Sequence, residues 1–410
     1  MQFSRRGLLT TAAALSSSPI LGARAQGARP KLKIGVLTDL SGSYRDNTGP
    51  TSVAATKLAL LDFGVSGKDF DVEVLSADHQ NKPDIGVSIA RQWIDSEGVD
   101  VIADVPTSSV ALAVGEVARQ KDKIMLNASA TVASLTDAQC SPNTIVWSFD
   151  TYENAVSTGG AVVKNGGDSW YFITANYAFG ASLEDLTSDV VRKAGGKVVG
   201  ALRYPFPETT DFSAFLQQAG ASGAKVLGLA NAGADTENCI KQAKEFGLDK
   251  HMTISPMLLF IQNVHAIGLE MGQGLIGTEV FYWDRDDRTR AFTKRLLPFS
   301  PKNYPNQAHA SSYSSTLHYL KTAAAMGVTE AKKSGAATVA RMKAMPTEDD
   351  AFGAGSIRAD GRGSFPAYLV QVKKPSESKG PWDYYKILAT TPAEQVLHPL
   401  NPKCNFKVGA

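Results

Sequence analysis

Val101–Ser109, with the sequence VIADVPTSS, and Lys123–Thr131, with the sequence KIMLNASAT, share one pattern. In each, a short apolar run that predicts a buried strand enters a hydroxyl-rich turn, and a helix is expected to follow. Hydroxyls and free N–H groups at helix starts suit anions, so two such turns at neighbouring strand ends predict one anion cradle. Ser and Thr are also favoured as ordinary helix N-caps, and the turns alone do not separate the two interpretations.

The rest of the chain alternates strands and helices in the same way. From Lys31 onward, short apolar runs alternate with helical periods, which predicts an α/β fold with mainly parallel sheets and helices on both faces. The pattern restarts after Tyr152 and becomes irregular from about Gly274, which predicts two doubly wound lobes that exchange segments through a hinge. A ligand would lie in the cleft at the carboxyl ends of the strands. The expected parts are lobe 1 (30–150 and 278–356), lobe 2 (151–277 and 357–390) and a tail (391–410) that returns towards lobe 1.

The first 25 residues differ from the rest and predict an export signal that is removed after about Ala25. Ser4–Leu9 (SRRGLL) precedes a small apolar stretch, and Ala23–Ala25 is a suitable cleavage site. The paired arginines suit the twin-arginine route, and the general secretory route stays open. Removal takes away three arginines and no acid, so the net charge falls from +2 to −1. We therefore expect a nearly neutral periplasmic protein that neither binds nucleic acid nor inserts into a membrane.

The chain has three cysteines, an odd number that leaves at least one thiol free. Cys239 lies within an apparent amphipathic helix at residues 236–246 and is expected to be buried. Cys140 and Cys404 both lie in loops rich in Pro, Asn and Ser. We predict a disulfide between Cys140 and Cys404 that ties the C-terminal tail to the first lobe.

Sequence motifs of enzymes and metal sites are absent. HExxH, CxxC, GxSxG and Walker-type motifs do not occur, and the histidines and acids show no metal-ligand spacing. The GxGxxG match at Gly272–Gly277 precedes a β-rich run instead of opening a helix, so it does not predict a dinucleotide site. We expect no enzymatic activity, no cofactor and no metal.

Several motifs, taken together and in order, resemble the extracytoplasmic solute-binding proteins of branched-chain amino acid-type ABC transporters. They are Lys33–Gly42 (KIGVLTDLSG), the two Ser/Thr turns, Tyr177–Gly180 (YAFG) and Asp211–Ser213 (DFS). The resemblance covers essentially all of the chain after the export signal. It implies the type I periplasmic binding protein fold, in which two lobes are joined by three hinge crossings. These crossings are expected near Phe149–Tyr152, Gly277–Val280 and Ala354–Arg358.

The resemblance also assigns ligand contacts in lobe 1. In amino acid-binding relatives both Ser/Thr turns hold the α-carboxylate of the ligand. By motif position this role falls on Thr107, Ser108, Ser129 and Thr131. The loop at residues 41–46, which departs from the proline-containing form of the family, covers the same cleft and would contribute Tyr44.

In lobe 2 the resemblance implies a wall without an acid. Amino acid binders place an acidic residue there to pair with the ligand ammonium, but the corresponding stretch, Ser255–Phe260 (SPMLLF), has none. A buried ammonium without a partner costs several kcal/mol, roughly. The nearest acid, Asp235, could substitute only in a different cleft geometry. Stretches around Tyr177 and Asn231 resemble the aromatic-acid branch of the family. The ligand contacts expected from lobe 2 are Tyr177, Phe179, Asn231, Ala232, Met257 and Leu258.

The resemblance therefore implies the monomeric, periplasmic binding component of an ABC importer. It would capture a small carboxylate, an aromatic or apolar acid without an α-ammonium, by hinge closure, and pass it to a membrane permease. Two alternatives remain: a branched-chain or other amino acid-binding protein of the same transporter type, and a ligand-binding sensor subunit. A sensor predicts a fused kinase or membrane segment, and an exported enzyme predicts a nucleophile–base pair; the sequence offers neither convincingly.

Overall fold

The computed structural model describes residues 29–300 and 302–406, so the expected export signal and residues 407–410 lie outside the described residues. Lobe 1 is built on a parallel sheet. Its strands are β1 (Lys31–Thr38), β2 (Asp71–Asp78), β3 (Val101–Asp104), β4 (Ile124–Asn127) and β5 (Thr144–Val146). They lie in the order β2-β1-β3-β4-β5.

The helices of lobe 1 bury this sheet. The first three are α1 (Gly49–Phe63), α2 (Pro83–Gln92) and α3 (Ser108–Gln120). β3 and β4 are buried along their whole length, as expected of parallel strands covered on both faces. Gly35 in β1 lies directly against the ring of Trp93, and a β-carbon at this position would overlap that ring. The close approach of strand and indole therefore requires glycine.

Lobe 2 repeats the architecture. Its strands β6 (Ser169–Ala175), β7 (Lys197–Tyr204), β8 (Val226–Ala230) and β9 (Thr253–Pro256) form a second parallel sheet in the order β7-β6-β8-β9. This arrangement confirms the predicted α/β fold with two doubly wound lobes. The accompanying helices are α4 (Thr151–Asn154), α5 (Gly160–Lys164), α6 (Ala178–Lys193), α7 (Ser213–Ala221), α8 (Ala234–Glu245), α9 (Ile261–Ile267) and α10 (Leu269–Gly272).

After β10 (Ile276–Glu279) the chain returns to lobe 1, where Phe281 packs against Phe292 and Phe352. The long α12 (Gln307–Met326) packs along α1, and its start is capped by Asn306, whose side chain accepts hydrogen bonds from the backbone N–H groups of Ala308 and His309. The elements of this part are α11 (Asp287–Leu296), α12 (Gln307–Met326), α13 (Val328–Ala331), α14 (Gly335–Ala344), β11 (Thr347–Asp349), β12 (Gly353–Ile357) and β13 (Gly363–Ser364).

The third hinge crossing lies further along the chain than the sequence suggested. β11, β12 and β13 form one antiparallel sheet, and Val146 of lobe 1 pairs with Arg362. The expected crossing at Ala354–Arg358 and the lobe boundary at residue 357 are therefore wrong, because β12 and β13 stay with lobe 1. The chain enters lobe 2 only at β14 (Ala367–Val372), which joins β10 and β15 (Tyr385–Thr391) in an antiparallel sheet of order β10-β14-β15.

A buried charge cluster connects the first and third crossings. The guanidinium of Arg362 donates to Asp150 (Nε to Oδ2, 3.0 Å) and to Glu153 (Nη2 to Oε2, 2.6 Å). All three side chains are at most 1% exposed. One cation faces two carboxyls, and burial raises the pKa of Glu153 to about 8 despite the opposing effect of Arg362. Glu153 therefore keeps its proton at neutral pH.

The tail packs on lobe 1. After α15 (Ala393–Val396), His398 Nε2 lies 2.9 Å from Thr136 Oγ1, and Asn401 donates to Asp137 (2.7 Å). Cys140 and Cys404 form a disulfide across 264 residues of sequence, and Cys239 is a buried free thiol. No helix in the part of the chain that the structure describes is long and apolar enough to cross a membrane.

Candidate functional site

A pocket lies between the lobes, where the carboxyl ends of β3 and β4 face the start of α6 and the ends of β8 and β9. The space between its lining atoms, counted together with the part open to solvent, is about 330 Å³. The lobe 1 lining is polar, and the lobe 2 lining is aromatic or aliphatic. The lining residues are Tyr44, Asn47, Thr48, Pro106, Thr107, Ser108, Ser129, Ala130 and Thr131 from lobe 1, and Tyr177, Phe179, Ala232, Leu258 and Phe260 from lobe 2.

The first Ser/Thr turn opens α3 without capping it. Thr107 stands at the N-cap position, but its hydroxyl donates to Asn81 Oδ1, and within the described chain no side chain caps the helix. Asp104, Val105 and Thr107 have φ angles of 73°, 53° and 74°, which non-glycine residues adopt at a cost. The ordinary N-cap interpretation therefore does not describe this turn, because the N–H groups at the start of α3 receive no side-chain oxygen from the described residues.

The second turn joins the first to form one polar surface. Asn127 closes the turn by accepting from the N–H of Ala130 (2.9 Å). The N–H of Val132 then donates to Ser108 Oγ (3.2 Å), and the N–H of Ala128 donates to the carbonyl of Asp104 (3.0 Å). The turn is followed by a short 3₁₀ helix at Ala133–Thr136 and not by the expected α-helix, so only one full helix start faces the pocket.

The four predicted cradle hydroxyls differ in how their hydrogens are used. Ser129 donates to Asp104 Oδ1 and Thr107 donates to Asn81, so both hydrogens point away from the pocket. The hydroxyl of Ser108 only accepts, and the hydroxyl of Thr131 has no hydrogen bond within residues 29–300 and 302–406. Ser108 and Thr131 are therefore free to donate to a ligand anion.

The loop after β1, at residues 41–46, borders the pocket through Tyr44. Asp39 shapes it by accepting from the backbone N–H groups of Gly42 (2.6 Å) and Tyr44 (2.9 Å). The Tyr44 hydroxyl reaches across the cleft to the Tyr177 hydroxyl at 2.6 Å, and the Tyr44 ring stacks on Phe206 at 5.4 Å between centroids. Both predicted tyrosines thus lie at the pocket and join the two lobes.

Two residues expected at the ligand lie elsewhere. Asn231 is buried in lobe 2, where its side chain donates to Cys239 Sγ (3.3 Å) and accepts from Thr236 (2.7 Å). Met257 is fully buried, and its sulfur accepts a hydrogen bond from the Ser255 hydroxyl instead of lining the pocket. Their neighbours Ala232 and Leu258 do line the pocket. Consecutive residues at a strand end point to opposite sides, so the contact falls on the next residue.

No charged side chain lines the pocket in the part of the chain that is described. Asp235, the acid that could substitute as the partner of an ammonium group, does not line the pocket and is held by Tyr204 (2.7 Å) and Ser43 (3.2 Å). Burial raises the pKa of Asp235 to about 6, and these two hydrogen bonds oppose the shift. The pocket therefore offers hydrogen-bond donors at one end, apolar surface at the other, and no charged side chain among the described residues that line it.

Residues 31–380 match the sequence model of the family described as periplasmic binding protein. The chain belongs to the periplasmic binding protein family. A periplasmic binding protein from Burkholderia mallei is 46% identical, with a TM-score of 0.86, over 93% of this chain and 99% of that one. A branched-chain amino acid ABC transporter periplasmic ligand-binding protein from Burkholderia xenovorans LB400 is 36% identical, with a TM-score of 0.77, over 90% and 97%. These matches identify the fold as type I.

More distant relatives share the fold alone. An ABC transporter solute-binding protein from R. palustris, solved in complex with benzoate, is 20% identical, with a TM-score of 0.78, over 90% of this chain and 99% of that one. Leu/Ile/Val-binding protein homolog 6 of Brucella abortus is 26% identical over 219 residues. The match spans 53% of this chain and 55% of that relative, so the chain spans about half the length of the curated relatives it matches.

This periplasmic binding protein has its lobes in contact around the pocket. The N–H of Ala234 in lobe 2 donates to the carbonyl of Ser43 in lobe 1 (3.1 Å). On another side of the cleft, Gln262 of lobe 2 donates to Asn303 Oδ1 (2.7 Å) and accepts from Asn306 (2.8 Å). These contacts hold the two lobes together on two sides of the pocket.

Sequence reasoning missed part of the lining of this binding protein. Asn47 and Thr48 directly follow the predicted loop, and their position just before the Pro50 helix start was the available indication. Asn47 is 2% exposed, and its Nδ2 has no partner in the described structure, so it is a further donor for a ligand. Pro106, Ala130 and Phe260 complete the missed residues.

Proposed function

We propose that this protein is the binding subunit of an ABC importer and that it captures a small aromatic or apolar carboxylate without an α-ammonium. The observation that carries the proposal is the division of the pocket lining. Ser108, Thr131, Asn47 and the start of α3 supply donors on lobe 1, while Phe179, Leu258 and Phe260 supply apolar surface on lobe 2. A carboxylate satisfies the donors of lobe 1, and a ring or branched chain packs against the apolar surface of lobe 2.

The same lining argues against an amino acid ligand. An ammonium group in a pocket without a charged residue loses its hydration and gains no partner, which costs several kcal/mol, roughly. Asp235 does not supply the charge, since its two oxygens are occupied by Tyr204 and Ser43 and it does not line the pocket. An amino acid binder would need this acid at the surface of the pocket.

Binding is proposed to proceed by lobe closure. The ligand carboxylate first binds to the turns of lobe 1. Lobe 2 then covers the apolar part of the ligand, removes water and forms the Tyr44–Tyr177 contact. The closed protein, a monomer in the periplasm, would then deliver the ligand to a membrane permease. Removal of residues 1–25 during export belongs to this proposal.

The test is a thermal-shift and calorimetry screen with matched ligand pairs. 3-Phenylpropionate and phenylalanine differ by the ammonium group alone, as do 4-methylpentanoate and leucine. Benzoate and methyl benzoate test the carboxylate. We expect the acids to raise the melting temperature, since a ligand at about 100 times its Kd adds about 2.7 kcal/mol. Stabilisation by leucine or phenylalanine and not by the acids would overturn the proposal.

A further inference from the structure

We propose that Asp104 is a positioning residue that takes up a proton when a carboxylate binds and thereby turns the Ser129 hydroxyl towards the ligand. The inference rests on the proposed function, because it needs an anionic ligand in the cradle. Ser129 lines the pocket where an anion needs donors, yet its only hydroxyl hydrogen is donated to Asp104.

The surroundings of Asp104 make it a carboxyl that can carry a proton. It is fully buried at the end of β3, beneath both turns, and its backbone is held at a φ of 73°. Oδ1 accepts from Ser129 and, at 3.4 Å, from Ser312. Oδ2 accepts no hydrogen bond in the described chain, although the hydroxyls of Thr38 and Ser52 face the carboxyl. Burial raises the pKa of Asp104 to about 6, against the effect of these hydroxyls.

The elements packed around Asp104 present hydroxyls to it and not opposing charges. β1 contributes Thr38, α1 contributes Ser52, the second turn contributes Ser129 and α12 contributes Ser312. On α12 the nearest titratable group is His309, whose burial lowers its pKa to about 3, so it is neutral. Asp39, which follows β1, is occupied by the N–H groups of the covering loop and by Asn81.

On α2's side of the sheet, burial likewise lowers the pKa of His79 to about 4, so this ring is also neutral at neutral pH. On α12 the next titratable group, Tyr313, donates its hydroxyl to Asp62 (2.8 Å) at the other end of α1. The structure thus places no cation against Asp104 within the described residues. A ligand carboxylate arriving at Ser129 would face this carboxyl across a single hydroxyl.

The proposed exchange conserves every atom. Without ligand, Ser129 donates to the ionised Asp104. When a carboxylate enters, one proton from solvent binds to Oδ1 of Asp104; this O–H then donates to Ser129 Oγ, and Ser129 donates to the ligand. The second negative charge in a buried site is thereby avoided, since like charges disfavour one another's ionised forms. Because binding takes up a proton, the affinity for the carboxylate falls as the pH rises.

The experiment is calorimetric titration of the full chain with benzoate from about pH 6.5 to about pH 8.5, a range in which the ligand itself stays ionised. Paired buffers of different ionisation enthalpy report the number of protons taken up. For the wild type we expect uptake approaching one proton and a Kd that rises by about five- to tenfold per pH unit. Asp104→Asn mimics the protonated acid, so its profile should be flat and its affinity at about pH 8.5 at least about tenfold higher than that of the wild type.

Two further variants make the result specific. Asp235→Asn removes the other buried carboxyl near the cleft and should keep the slope of the wild type. Ser129→Ala removes the hydroxyl between the two carboxyls and should weaken binding at about pH 6.5, while the repulsion between the carboxyls keeps a pH slope. If Asp104→Asn does not fold, the number of protons that the wild type takes up on binding benzoate still tests the inference. Benzoate binding with a flat wild-type profile, or a slope that Asp235→Asn abolishes, overturns this inference alone. Failure of every carboxylate to bind at any pH overturns the proposed function as well.

Discussion

Replacement of Arg362 by methionine removes the cation that joins two hinge crossings. Methionine keeps an unbranched stem but leaves Asp150 and Glu153 buried without their partner. Glu153 already holds its proton at neutral pH, since burial raises its pKa to about 8. In the variant Asp150 carries the one remaining charge of this cluster, and its carboxyl has to be protonated too, because this buried charge has lost its counter-ion.

The cost follows from these groups. Protonating a carboxyl with an ordinary pKa of about 4 at neutral pH costs about 4 kcal/mol, since each pH unit is worth about 1.4 kcal/mol. Loss of the hydrogen bonds from Arg362 to the carbonyls of Ser148 and Gly363 adds about 1 kcal/mol each. The expected destabilisation is about 6 kcal/mol at neutral pH. It falls to about 3 kcal/mol near pH 5, where protonation costs only about 1 kcal/mol.

Urea unfolding with linear extrapolation, at neutral pH and near pH 5, measures this difference. The matched control adds Asp150→Asn to Arg362→Met. Asparagine still caps α4, where Asp150 Oδ1 accepts from the N–H of Glu153 (2.9 Å), but it needs no proton. The double variant should be several kcal/mol more stable than Arg362→Met at neutral pH, roughly, and the gain should shrink near pH 5. A loss of stability in Arg362→Met that is equal at both pH values would refute the reasoning.

Four further predictions follow from the fold and the pocket. Thr131→Val removes a free donor and should weaken benzoate binding by about 10- to 100-fold in calorimetry; wild-type affinity would contradict the cradle. Cys404→Ser should lower the free energy of unfolding by about 2–5 kcal/mol in urea, and a reductant should then have no additional effect. Gly35→Ala should cost about 1–3 kcal/mol or more, because the new methyl group overlaps Trp93; an unchanged urea midpoint would contradict this packing. Small-angle scattering should show a smaller radius of gyration on saturation with the ligand, and an unchanged value would argue against hinge closure.

The positions of the two turns were predictable because they depend on local order. A strand that ends in a hydroxyl-rich turn places that turn at the carboxyl edge of a parallel sheet, and Thr107 and Thr131 meet there in the structure. The direction of each hydroxyl was not predictable. Thr107 donates to Asn81, which is 26 residues earlier in the chain, and Ser129 donates to Asp104, which is 25 residues earlier. Such partners are set by tertiary packing.

The errors in lobe 2 and in the hinge have physical reasons of the same kind. At the end of β8 the choice between Asn231 and Ala232 depends on which side of the chain faces the cleft, and a pattern of apolar residues does not fix it. The third crossing was placed too early because β13 has only two residues and gives no apolar period. Arg362, beside this short strand, gave no indication in the sequence that it would be fully buried against two acids of another crossing.

The asymmetry of the pocket gives the proposed preference for a carboxylate over an amino acid a basis in two separate steps. Ser108, Thr131 and Asn47 supply donors on lobe 1, which a ligand can reach while the cleft is open, so this lobe selects for the anionic group. Lobe 2 contributes Phe179, Leu258 and Phe260, whose contacts form only on closure, so this step selects for the apolar remainder. An amino acid could bind to lobe 1 through its carboxylate, but closure of lobe 2 would bury its ammonium group against apolar side chains. Discrimination then appears as a failure to close, and a leucine-bound open form with weak affinity is the state that the pocket geometry favours for amino acids.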